Sequence, residues 1–169
     1  MENKPTKRKI VASRHLATPS GWPLSEFEFG LIVAYNGFSR WVNRCMAASG
    51  HPTLSTLEIL VLHNINHRDR GKRLSDVCFM LNIEDAHTVN YAIKKLIKNG
   101  LVAGEKSGKE MLYSPTEEGA DLCNIYRDVR EQCLIESLST DADQLSEIAA
   151  TLRTMSGIYD QAARAASSL

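Results

Sequence analysis

The 169 residues contain no run approaching the roughly 18 apolar residues that a membrane-spanning helix needs, so no membrane role is expected. The N-terminus has basic residues with no apolar core after them, which argues against a secretory signal. Cys45, Cys78, Cys123 and Cys133 form no C-x-x-C pair. That speaks against a zinc ribbon or a disulfide framework and for reduced thiols in the cytoplasm. Net charge is absent too: 20 Lys and Arg balance 20 Asp and Glu. By itself this says nothing in favour of a polyanionic partner. No G-x-S-x-G, P-loop or Gly-rich dinucleotide turn occurs, and no carboxylates pair in a recognisable frame, so neither an enzyme nor a cofactor is expected. His63 and His67 stand four apart, a spacing that can bind metal, but no acid lies between them in the H-E-x-x-H manner and further ligands are not evident. No metal site is expected. What remains is ordinary: 43% hydrophobic and 24% charged residues, enough to bury a core as one domain, or as one domain plus a dimerisation layer.

The most informative stretch runs from Leu74 to Pro115. Leu74, Val77, Cys78 and Leu81 share one face of a short helix. A longer helix follows, with Val89, Ala92, Ile93, Leu96 and Ile97 at three- and four-residue steps, closed by Asn99-Gly100. Its other face carries His87, Asn90, Tyr91, Lys94, Lys95 and Lys98. Leu101-Val102 and Met111-Leu112-Tyr113 then flank Ser107-Gly108, a β-hairpin signal. Helix, turn, helix, hairpin is the layout of a winged helix-turn-helix, in which the second helix enters the DNA major groove and the hairpin lies over the backbone.

On these residues the chain resembles the MarR family of bacterial transcription regulators. The resemblance covers Leu54 to Leu122 and is carried by STLEILVLHNI, LSDVCFML, HTVNYAIKKLIKNGLV and PTEEGADL. Leu96, Gly100-Leu101-Val102 and Thr116-Glu117-Glu118-Gly119 occupy the places of the family's recognition-helix end and the helix start after its wing. The wing departs from the pattern: where the family usually has an Asp-x-Arg pair, this chain has Lys106-Ser107-Gly108-Lys109. The resemblance implies a mainly α fold with a small β-hairpin wing, a winged helix-turn-helix with N- and C-terminal dimerisation helices. It also implies a homodimer whose first and last helices interleave, and effectors bound between those helices and the DNA-binding lobe.

In chain order, residues 1–24 read as an extended basic N-terminal arm, with Lys4, Lys7, Arg8, Lys9 and Arg14 against Glu2. It either reaches DNA phosphates or a minor groove, or is a solvated tail. Residues 25–50 form the first dimerisation helix, capped by Ser25, with an apolar stripe that includes Phe27, Leu31, Phe38, Trp41, Val42, Cys45 and Met46. Residues 51–116 form the DNA-binding lobe. Ser55 with Glu58 gives a capping box for its first helix, and Arg68 to Arg73 form a polar loop. Residues 117–169 form the C-terminal dimerisation helices, one from the Thr116 cap to about Leu138, with Ile125 and Cys133 among its inward positions, the other from about Asp143 to Ala166. The last has Leu145, Ile148, Leu152, Met155 and Tyr159 on one stripe. Residues 117–169 hold ten acids against four arginines, so a basic front opposes an acidic back.

For DNA, Asp85 is an acceptor for a cytosine amino group, and Asn90 can pair with adenine. His87, Thr88 and Tyr91 are candidates for base edges or backbone. Lys94, Lys95 and Lys98 are candidate phosphate anchors, as are Arg70, Lys72 and Arg73 in the loop and Lys106 and Lys109 in the wing. Phe38, Trp41 and Tyr126 are candidate walls for a small-molecule effector, although core packing explains them as well. The leading expectation is a dimeric, sequence-specific, ligand-responsive regulator of repressor type bound to double-stranded DNA. Two alternatives stand beside it. One is a winged-helix protein–protein module without DNA binding, suggested by the zero net charge, acidic helix start and arginine-free wing. The other is a redox sensor acting through Cys123 and Cys133, against which their place on or beside the core stripe argues, since buried cysteine behaves as a small hydrophobe.

Overall fold

The structure, a computed structural model, describes residues 18, 21–68, 70–139 and 141–169. The basic positions of the N-terminal arm lie outside these. Among the described residues six α-helices and one two-stranded sheet follow in the order α1 (Trp22–Ala48), α2 (Thr56–Asn66), α3 (Leu74–Leu81), α4 (Ala86–Lys98), β1 (Val102–Ser107), β2 (Glu110–Pro115), α5 (Glu117–Arg130) and α6 (Ala142–Ala166). This is the mainly helical, hairpin-bearing architecture read from the sequence. No helix among the described residues is long and apolar enough to cross a membrane.

The chain divides into two compact units, one ending at Arg130 and one from Glu131 to Leu169. The core of the first is built from α2, α4 and the start of β1, with α1, α3 and α5 packed around them. Ile59, Val61, Leu62 and Ile65 of α2 meet Val89, Ile93 and Leu96 of α4 and Val77 of α3, all fully buried. Burying each such side chain contributes about 1.5–3 kcal/mol, so this apolar face fixes α4 against α2. Ile97, expected on the same stripe, is 40% exposed. It stands one position beyond Leu96, and the buried stripe is narrower than the spacing suggests.

Local chemistry explains the boundaries. Ser55 and Glu58 form the capping box: the Glu58 N–H donates to Ser55 Oγ at 3.4 Å, and the Ser55 N–H donates to Glu58 Oε2 at 3.0 Å. Asn82 ends α3 in the left-handed region at φ 50°, a conformation asparagine tolerates better than most residues. Gly100, with φ 75°, carries the chain out of α4, as the Asn99-Gly100 pair implies. The hairpin pairs Ser107 with Glu110 across Gly108-Lys109, and Gly108 takes φ 63°.

Several expectations are corrected. The first helix begins at Trp22 rather than Ser25: Gly21 is its N-cap and a proline lies in its first turn, where a missing N–H costs nothing. Residues 22–24 are therefore helix and not arm. The helix after the wing does not run evenly to Leu138; α5 ends at Arg130 and a π-helical turn spans Glu131–Ile135. Ile125, expected inward, is 48% exposed, and Cys133 is exposed.

Candidate nucleic-acid interface

Helix α4 is amphipathic by construction. Val89, Ala92, Ile93 and Leu96 turn inward, and this leaves His87, Tyr91, Lys94 and Lys98 exposed with Asn90 half-buried beside them. Tyr91 is 69% exposed, high for an aromatic ring. Among the described residues Lys94 and Lys98 form no ion pair. They stand four positions apart and so on one row of the helix surface, as phosphate anchors along a groove would. Lys106 and Lys109 are exposed near the tip of the wing, and Arg70 is exposed in the loop before α3.

The structure uses four of the candidate residues differently from the expectation. Asp85 is the N-cap of α4. Its Oδ1 accepts from the His87 N–H at 2.9 Å and its Oδ2 from the Thr88 hydroxyl at 2.8 Å. These bonds, that of Thr88 foremost, hold the Asp85 carboxyl below the usual carboxylate range. Both oxygens and the Thr88 hydroxyl are thus occupied within the protein. Lys72 is a correction: it is only 6% exposed. Its backbone pairs with that of Tyr113 in both directions at 2.8 Å, an isolated bridge beside the two-stranded sheet, and its burial removes it from the exposed cations of the groove edge. Arg73 binds Asp76 at 3.2 Å and Glu110 at 3.3 Å. The Asp76 hydrogen bond first and the Glu110 bond next raise its pKa above the ordinary value. It clamps the start of α3 to the wing strand.

Lys95 is the fourth. Its Nζ donates to Glu58 Oε1 at 2.9 Å, and this hydrogen bond raises the Lys95 pKa. Sequence reasoning found the capping role of Glu58 and missed this second partner. A capping box is local and legible, whereas a pairing across 37 positions depends on how α2 and α4 cross. Phe79 and Met80 were also passed over. They are 83% and 61% exposed on α3, and the signal was present, since neither lies on the Leu74, Val77, Cys78, Leu81 face.

Of the candidate effector walls, Tyr126 is buried, its ring 4.4 Å edge-on from that of His63, and Trp41 packs on the core. Packing accounts for both. A groove of about 490 Å³ lies instead between the end of α1 and the start of α5, lined by His51, Glu117, Glu118 and Asp121 among others. Burial pushes the Cys123 thiol up to about 11, which leaves little thiolate for redox chemistry. The proposed dimer faces are exposed within the chain: Leu31 is 37%, Phe38 47%, Leu145 40%, Ile148 47% and Leu152 39% accessible, while Phe27, Met155 and Tyr159 are half-buried. Among the described residues no group of three His, Cys, Asp or Glu side chains is placed to hold a metal ion.

Residues 54–119 match the family described as winged helix DNA-binding domain. No curated protein matches the sequence. Among solved structures, reduced AbfR bound to DNA is similar over 83% of this chain and 98% of its own, with a TM-score of 0.70 and 14% identity. A MarR family regulator from Neisseria meningitidis is similar over 83% and 95%, with a TM-score of 0.66 and 16% identity. Staphylococcus aureus MarR in complex with salicylate and kanamycin is similar over 80% and 91%, with a TM-score of 0.61 and 21% identity. The chain has the MarR-family fold.

Proposed function

We propose that this chain, a winged helix domain within the MarR-family fold, is a dimeric, sequence-specific DNA-binding transcription regulator of the repressor type, acting in the cytoplasm. The observation that carries this reading is the outer face of α4, where Lys94 and Lys98 stand without acidic partners among the described residues beside exposed His87 and Tyr91. Lysines along such a helix anchor it to phosphates, and Asn90, His87 and Tyr91 are then presented to base edges. Lys106 and Lys109 extend the cationic track onto the wing.

Dimerisation follows from the apolar faces. Leu31, Ile32, Val33, Tyr35 and Phe38 of α1 are all exposed, and clustered exposed apolar side chains mark interaction surfaces. A second copy of the chain covers these side chains, and the exposed α6 stripe with Leu145, Ile148 and Leu152 is a further apolar face for dimerisation. A two-fold dimer places two α4 helices on a pseudo-palindromic site with half-sites about one helical turn apart. A small-molecule effector would act by changing the spacing of those helices.

Charge reversal tests the reading. Lys94→Glu with Lys98→Glu abolishes binding to labelled duplex DNA while leaving the circular dichroism spectrum and dimer mass unchanged. Duplex binding unaffected by the double reversal would refute the assignment of α4 and favour a protein-binding winged helix.

A further inference from the structure

The pair between Glu58 and Lys95 has a one-sided geometry. The Glu58 side chain is 5% exposed and Lys95 is 41% exposed. Both oxygens of the carboxylate are committed: Oε1 accepts from Lys95 at 2.9 Å and Oε2 from the Ser55 N–H at 3.0 Å. Glu58 sits in the first turn of α2 and is held there by the capping box, so it cannot follow its partner. Lys95 has a flexible four-carbon stem on the recognition helix and can leave. Leaving strands an ionised carboxylate in the interior, which is the costly way to break an ion pair. Lys94, on the neighbouring position, makes no comparable bond among the described residues. Two adjacent lysines on one helix are therefore differently available to a phosphate.

We propose that Glu58 withholds Lys95 from the DNA backbone and thereby acts as a positioning residue that sets the balance between specific and non-specific binding. The inference rests on the DNA-binding reading above. Non-specific affinity comes almost wholly from lysine and arginine contacts with phosphate, each releasing counterions. Occupying Lys95 inside the protein removes one such contact per chain, lowers affinity for every sequence alike, and leaves base contacts a larger share of the total. The bond also ties the middle of α4 to the start of α2, so the helix is presented at one angle.

The consequence is that removing an acid strengthens binding while its specificity falls. Glu58→Gln keeps the capping box, because glutamine serves at that position, and frees Lys95. Per chain, the slope of log affinity against log salt steepens by about 0.9, and non-specific affinity at about 0.1 M salt rises roughly fivefold to tenfold. Lys95→Met introduced into Glu58→Gln abolishes that gain. A second comparison does not depend on the stability of Glu58→Gln: Lys94→Met reduces the magnitude of the slope by about 0.9 per chain, whereas Lys95→Met leaves it unchanged. Both are read by fluorescence anisotropy with one specific and one scrambled duplex across a salt series. Wild-type binding with equal slope losses for Lys94→Met and Lys95→Met, or with no gain in Glu58→Gln, overturns the inference and leaves the DNA-binding reading standing. Failure of the wild-type chain to bind any duplex overturns both.

Discussion

Gly119 offers the sharpest test of how the wing is joined to the helix behind it. It lies in the first turn of α5, directly against the backbone of Leu101. A Cβ at Gly119 would overlap the Leu101 carbonyl oxygen and stand 2.9 Å from the carbonyl carbon. These are backbone atoms, and they are held on both sides. The Leu101 N–H donates to Leu96 O at 3.0 Å, its carbonyl accepts from the Thr116 N–H at 3.1 Å, and its side chain is fully buried. Alanine at 119 must therefore push α5 away or break the carbonyl's bond. Overpacking of this kind costs about 1–3 kcal/mol, and a lost buried hydrogen bond adds about 1 kcal/mol. We expect a loss of about 3 kcal/mol in all, at the upper end of the overpacking range. For a chain of this length that lowers Tm by roughly 6–12 °C, measured by urea and thermal unfolding followed by circular dichroism. Gly157→Ala is the control, since a Cβ there meets nothing within 4 Å, and it leaves stability unchanged or raises it slightly. Gly119→Ala within about 1 kcal/mol of the wild type would show that α5 is not seated on Leu101.

Other outcomes follow from the same structure. The Thr116 hydroxyl donates to the Gly100 carbonyl at 2.6 Å and accepts from the Gly119 N–H at 3.1 Å; Thr116→Ala costs about 0.5–2 kcal/mol in urea unfolding, and Thr116→Ser restores most of it. Burial lowers the His63 pKa, and its Nε2 has no hydrogen-bond partner among the described residues. A depressed histidine pKa favours the neutral folded form, so its contribution is complete above about pH 6.5 and is lost as pH falls through that value toward the folded pKa. His63→Phe keeps the ring against Tyr126 and flattens that part of the Tm–pH profile. The Asp85 pKa is also lowered, with a different window: its stabilisation is present above about pH 4 and fades as pH drops further. Asp85→Asn retains a capping side chain and loses that acid dependence. If α1 forms the proposed dimer face, Phe38→Glu on its exposed side gives a monomer where the wild-type chain is a dimer in light scattering.

Much of the lobe was legible because its signals are local. The caps at Ser55 and Gly100, the Ser107-Gly108 turn and the inward faces of α3 and α4 each depend on residues a few positions apart, and apart from Ile97 at the edge of the α4 stripe they appear where the spacing puts them. The resemblance at Thr116-Glu117-Glu118-Gly119 acquires a physical cause in the close approach of Gly119 to Leu101. What stayed hidden depends on distant partners. Lys72 looked like a loop cation because its pairing with Tyr113 spans 41 positions, and Lys95 looked free because Glu58 lies 37 positions away. Arg73 is divided: its bond to Glu110 also spans 37 positions, but its bond to Asp76 is only three positions away and was legible. The start of α1 at Trp22 was legible in principle, since proline suits a first helical turn as well as an extended arm. The end of α5 at Arg130 has no comparable marker, as the apolar stripe continues through Leu134 without a glycine or proline.

The central claim, that α4 and the wing grip DNA, is tested most directly by anisotropy of the purified chain with labelled duplexes, including the region upstream of its own gene, across a salt series. Lys94, Lys98, Lys106 and Lys109 on each of two chains would give a log–log slope of roughly −7, with one duplex preferred over scrambled sequence. Binding to no duplex at low salt, or a slope near zero, would contradict the account.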